Sequence, residues 1–186
     1  MGRSFEFRIR TELAAPAGDV WRHATSMAGV NEELAPWVRM THPPRLADLS
    51  SGPLALGEVL FHSWLLAFGW VPFDRHSLRL LSVDDRGDGG GAFVEDSTSW
   101  MQRRWRHERS VDPVGDGCVV EDRLVVEPRL PVGALARPVV AALFAHRHRQ
   151  LVRRFGAPAG AGAGVPDGPT GVRRYDRAAA RQRRRP

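Results

Sequence analysis

Apolar and polar positions alternate from the start of the chain. In FEFRIRTEL, Phe5, Phe7, Ile9, Thr11 and Leu13 interleave with Glu6, Arg8, Arg10 and Glu12, the period of a strand with one buried face. The period then lengthens. In APAGDVWRHATSM, Pro16 stands at a helix start and Val20, Trp21 and Ala24 share one stripe, which predicts a short helix. GVNEELAPW predicts a second helical turn that stops near Pro36, and residues 41–53 form a Pro- and Ser-rich loop. Strand-like segments follow at 58–68, 75–84, 91–99, 103–111 and 118–127, parted by hairpin signals such as DDRGDGGG and DPVGDG. A proline-containing loop over 128–133 leads to a long helix spanning about residues 135–155.

One strand, two short helices, a run of antiparallel strands and one long helix describe an α+β helix-grip. A curved antiparallel β-sheet wraps around the C-terminal helix. The expected division is a helix-grip domain over 1–156, then a Gly/Ala/Pro linker and an Arg-rich disordered tail over 157–186.

The closing helix, LFAHRHRQLVRRFG, mixes charge with an apolar pattern. At 3.6 residues per turn, Val140, Phe144, His148, Leu151 and Phe155 form one stripe. Arg147 and Arg154 border it, while His146 falls opposite with Arg149, Gln150 and Arg153. His146 and His148 therefore point apart and cannot share a metal ion. Most of these arginines are expected to form a solvated face. His148, on the buried stripe, is either a core histidine bonded to a strand or a polar contact in a cavity.

Composition narrows the function classes. The 42% apolar content of the 186 residues fits a globular chain. MGRSFEFRIR lacks the apolar core of a secretory signal, and WLLAFGWVPF is too short and too broken to span a bilayer. A cytoplasmic protein is the expectation. The lone Cys118 excludes an internal disulfide and a cysteine-based zinc cluster. No metal site or cofactor motif is present: there is no G-x-S-x-G elbow and no P-loop. All 27 cationic side chains are Arg, but the tail after Gly156 carries a net +5 of the total +6. The domain itself is nearly neutral, which removes the main support for nucleic-acid binding by its body. The tail could still make weak contact with nucleic acid or anionic membrane.

Several stretches resemble the START/SRPBCC superfamily of polyketide-cyclase-like proteins. LAAPAGDVWRHATSMAGVNEELAPW is similar to its first strand and helix pair. FVED…WRHERSV is similar to its central hairpin, with Trp105 and His107 in a W-x-H pattern. GCVVEDRLVVEP is similar to the next strand, with Asp122 at its acidic position. LFAHRHRQLVRRFG matches the closing helix through Phe144, Arg147, Leu151 and Phe155. The resemblance covers about residues 3–156. It departs at the Gly-Pro turn of the central hairpin, replaced by SWM around Trp100, and at an aromatic position taken by Val126. The resemblance implies a deep apolar cavity between sheet and helix, for a lipid, quinone or polyketide-like partner, without naming the ligand. Some members of the superfamily bind such molecules and others cyclise or dehydrate them.

The candidate ligand-binding residues are Phe61, Trp64, Trp70, Trp100, Trp105, His107, Phe144, His148 and Leu151. Core packing is the alternative reading for each aromatic. The candidate catalytic residues are His107, Asp122 and His148. An Asp122 facing His107 could orient an acid/base imidazole, or the two could make an ordinary cross-strand contact. The leading expectation is a non-catalytic binder or carrier; the alternative is an aromatase/cyclase or dehydratase. The sequence does not specify an oligomeric state.

Overall fold

The computed structural model describes residues 4–49, 52–129 and 133–158, with backbone alone at 133 and 134. Strand β1 (Phe5–Leu13) is followed by α1 (Ala17–Thr25), α2 (Met27–Leu34) and β2 (Val38–Met40). Strands β3 (Val59–Ala67), β4 (Val71–Asp85), β5 (Gly91–Ser99), β6 (Gln102–Val114) and β7 (Gly117–Pro128) then run as hairpins into α3 (Gly133–Phe155). All seven strands join one curled antiparallel sheet in the order β1-β7-β6-β5-β4-β3-β2. This is the helix-grip α+β architecture. Residues 159–186, which hold nearly all of the expected linker and tail, lie outside the described residues.

Local chemistry explains the element boundaries. The α1 helix begins after Pro16, whose fixed φ of −58° suits a helix entry. Ser26 ends α1 and caps α2, its hydroxyl oxygen accepting the Gly29 backbone N–H at 3.0 Å. The β4–β5 hairpin needs its glycines. A Cβ on Gly91 would lie 2.4 Å from the Trp21 ring, so the bare backbone there is what lets α1 seat its indole against the sheet.

Along β1 the expected alternation holds, with Phe7 and Leu13 buried and the charged positions turned outward. On α3 the predicted stripe is buried at Val140, Phe144, His148 and Leu151. The C-terminal half of α3 closes a solid core in which Leu151, Val152 and Phe155 meet Leu13, Val20, Trp21, Val111 and Val120. Near the middle of the helix, Phe144 packs edge-on against Phe7 at 5.7 Å between ring centres and against His107 at 5.2 Å. Toward the start of α3 the packing stops. Leu135 and Val139 project over a hollow. None of the described helices is long and apolar enough to cross a membrane.

Candidate functional site

The hollow has a volume of about 780 Å³, within the usual size range for small-molecule sites. Its walls are mostly apolar: Met27 and Leu34 from α2, Leu78 and Leu80 from β4, Phe93 from β5, and Val139, Leu143 and Phe144 from α3. Polar groups gather on the strand side. They are Asp74 and His76 of β4, Glu95 and Ser99 of β5, and Gln102 and His107 of β6. Strand alternation puts them on one face, because Asp74 and His76 continue the inward row of Leu78 and Leu80.

This wall is internally bonded. The His76 Nε2–H donates to Glu95 Oε1 at 2.7 Å, and His107 Nδ1 stands 3.7 Å from Glu95 Oε2. Burial alone would raise the Glu95 carboxyl, but the imidazoles of His107 and His76 outweigh it and hold Glu95 well below the usual carboxylate range. Glu95 is thus a buried anion beside an apolar space. The Ser99 hydroxyl donates to Asp74 Oδ2 at 2.7 Å, and its oxygen accepts the Gln102 backbone N–H at 3.0 Å. Gln102 Oε1 is buried and has no hydrogen-bond partner among the described residues.

Behind the wall lies a second polar cluster, closed to the cavity except through His107 and Arg147. Asp122 is its hub. Its Oδ1 accepts from His107 Nε2 at 2.9 Å and Arg109 Nε at 2.7 Å; its Oδ2 accepts from Arg109 Nη2 at 2.7 Å and His148 Nε2 at 3.0 Å. Arg109 extends to Glu33 of α2, with Nη1 at 2.9 and 3.0 Å from the two carboxylate oxygens. Arg147 of α3 reaches the same Glu33 through Nε at 2.8 Å. One chain of charge therefore ties α2, α3 and the sheet together. Burial would raise Asp122 and Glu33, yet Arg109 outweighs it at Asp122, and Arg109 with Arg147 does so at Glu33; both carboxyls stay below their ordinary values. The same partners overcome the burial of Arg109 and raise it above its ordinary value.

The expected site residues divide between these two regions. Trp105, His107 and Phe144 line the cavity. Asp122 and His148 do not: Asp122 has all four acceptor directions filled, and His148 bridges it to the Thr11 hydroxyl, with Nδ1 at 2.7 Å from Oγ1. That is the core-histidine alternative for His148. Asp122 and His107 do bond, diagonally, because the residue opposite Asp122 is Arg109. Leu151 belongs to the solid core, and Phe61 packs on Met27, Leu78 and Leu80 outside the lining. Trp64 projects from the opposite face of β3, where it meets Trp100 edge-on at 5.1 Å, and Trp70 sits exposed at the β3–β4 turn. Arg147, expected at the border of the stripe, is buried, and the Glu33 carboxylate compensates its burial. His146, assigned to the far side of α3, instead lines the cavity and places Nε2 2.7 Å from Ala35 O.

His76, Glu95, Gln102 and Glu33 escaped the sequence reading. Period-2 placement could have put His76 beside Leu78, but a lone polar residue in a strand ordinarily signals the wet face. Burial pushes the Cys118 thiol up to about 11, which leaves it a packing residue. Among the described residues no group of His, Cys, Asp and Glu could hold a metal ion.

The model of the family described as "Domain of unknown function (DUF8410)" matches residues 11–155, and the chain belongs to that family. No curated protein matches it. Among solved structures, a protein from Chromobacterium violaceum is similar with a TM-score of 0.59 at 13% identity, over 81% of this chain and 97% of the other. A START superfamily protein from Mycobacterium smegmatis is similar with a TM-score of 0.54 at 13% identity, over 83% and 97%. The Zhui aromatase/cyclase from Streptomyces sp. R1128 is similar with a TM-score of 0.52 at 11% identity, over 82% and 93%. The fold is that of the START/SRPBCC superfamily.

Proposed function

We propose that this DUF8410 family member binds a hydrophobic small molecule, of lipid, quinone or polyketide-like kind, in the cavity between the sheet and α3 and carries or senses it in the cytoplasm. The observation that carries this reading is the hollow itself: about 780 Å³ of largely apolar space, with its polar groups confined to one wall. Covering about 200 Å² of apolar ligand surface would contribute on the order of 5 kcal/mol before the entropy of binding is subtracted. The polar wall would orient the ligand. Gln102 Oε1, which has no partner among the described residues, is an acceptor, so it favours a ligand with a hydroxyl or amine at that end.

The direct test is native mass spectrometry of the full chain purified from its host, with organic extraction of any adduct. A neutral fluorophore, N-phenyl-1-naphthylamine, provides a displacement assay against lipids, quinones and aromatic polyketides. Leu143→Trp should narrow the hollow and weaken fluorophore binding. An adduct-free protein that neither binds the fluorophore nor responds to Leu143→Trp refutes the proposal.

A second reading, catalysis of the cyclase or dehydratase kind, draws support from the His76–Glu95–His107 cluster on the cavity wall. Two imidazoles in contact with one buried carboxylate beside a cavity have the geometry of a candidate acid/base site. On this reading His107 and His76 handle protons, whereas Asp122 and His148 position His107 from behind. Loss of turnover of a bound polyketide in His76→Asn, with fluorophore affinity and melting temperature retained, would separate catalysis from carriage. Unchanged turnover would remove His76 from it.

A further inference from the structure

We propose that the rim of the cavity is a docking surface for an anionic lipid bilayer. The rim is built from Trp37 and its neighbours, the β5–β6 turn and the first turns of α3, and the β3–β4 turn joins it through the contact of Phe68 with Trp37. Each presents a large apolar side chain to solvent. Phe68 is 61% exposed, Trp70 74%, Leu135 69% and Val139 66%. Phe68 is held outward by the turn, where it takes a φ of +54° beside Gly69 at +84°, and its ring rests edge-on against Trp37 at 6.0 Å. A cluster of this kind exceeds the scattered apolar exposure normal on a soluble surface.

Charge selects the occupant. The same segments carry Arg39, Arg103 and Arg137, and Asp74, the acid that follows the β3–β4 turn, is buried against Ser99. Exposed tryptophan flanked by arginine suits the headgroup boundary of a bilayer, where the ring is half-immersed and the cation meets phosphate. A second copy of the chain fits poorly, because a two-fold contact would set one arginine rim against another. The chain's own tail, with its net +5, is repelled for the same reason. Docking would also place the mouth of the hollow on the bilayer, although the assignment rests on the rim and not on what the cavity holds.

The test is flotation of the full chain with vesicles of phosphatidylcholine mixed with phosphatidylglycerol, compared with phosphatidylcholine alone. The wild type should float with the mixed vesicles and far less with the neutral ones. Phe68→Asn with Trp70→Ser should cut that partition roughly tenfold or more, since two rings no longer leave water, while melting temperature and fluorophore binding stay unchanged. Arg39→Glu with Arg103→Glu should lower it on mixed vesicles only. Three results would overturn the proposal. One is full partition by the aromatic double variant, which would assign binding to the basic tail; another is equal or no partition of the wild type on both vesicles. The third is a wild-type dimer in sedimentation that the double variant dissolves, with no vesicle binding.

Discussion

The two halves of α3 carry similar apolar residues but do opposite things. Leu151, Val152 and Phe155 are pressed into a solid core. Leu135, Val139 and Leu143, in the earlier turns of the same helix, border the hollow. The difference lies in what faces them. Opposite the late turns, the strands present Val111 and Val120, and Trp21 of α1 fills the remaining gap. Opposite the early turns they present Asp74, His76, Glu95 and Ser99. Laying Leu135 and Val139 on those groups would strip water from a carboxylate and offer no hydrogen bond in return. The hollow is held open by chemistry on the sheet, not by a shortage of apolar residues on the helix.

The buried ion network marks the boundary between the halves, and breaking it should have the largest effect. Asp122→Ala leaves Arg109 with half of its partners and should cost about 3–5 kcal/mol, lowering the melting temperature by roughly 10 °C or more. A loss under about 1 kcal/mol in chemical denaturation would show that the halves are not joined there. Leu151→Ala and Leu143→Ala then compare the halves directly. The first opens a cavity in packed core and should cost about 2–5 kcal/mol. The second enlarges a space that already exists, and should cost about 1 kcal/mol or less while changing fluorophore affinity. Equal losses would erase the distinction.

Acid should act on both halves with the same sign. Glu33, Asp122 and Glu95 have folded-state values depressed below the ordinary 4.5, 3.8 and 4.5. Their contribution is therefore full above those ordinary values and is lost as pH falls below them toward the folded ones. Burial likewise depresses His23 below its ordinary 6.5, so its neutral form favours folding and stability begins to fall earlier, from about 6.5 downward. Urea midpoints measured across the acid range should decline monotonically; a rise on acidification would contradict these signs. A similarly small stability effect is expected at the wall. Glu95→Gln keeps the shape, removes the anion, and should shift stability by about 1 kcal/mol while altering preference for hydroxyl- or amine-bearing ligands in the displacement assay.

Much of the fold was legible along the chain because each element satisfies its own period. Phe5 to Leu13 reads as a half-buried strand, the glycine-rich turns break the later strands into hairpins, and Phe144, His148 and Leu151 trace one helix face. The site was only partly legible. In DRHSLRLLS both faces hold polar residues, so alternation alone does not reveal that Asp74 and His76 point inward. Trp64 and Trp100 looked like cavity residues because large apolar side chains ordinarily leave water, yet they pair on the outside. Glu33 and Arg109 stand 76 positions apart and meet only through folding.

The order of periods and turn residues along the chain determined the strands, the hairpins and the helix across them, since these depend on contacts between near neighbours. Tertiary structure alone decided which polar side chains would be taken from water, because a buried charge is tolerable only where distant segments deliver its partner. That same pairing separates the closed half of the molecule from the open one.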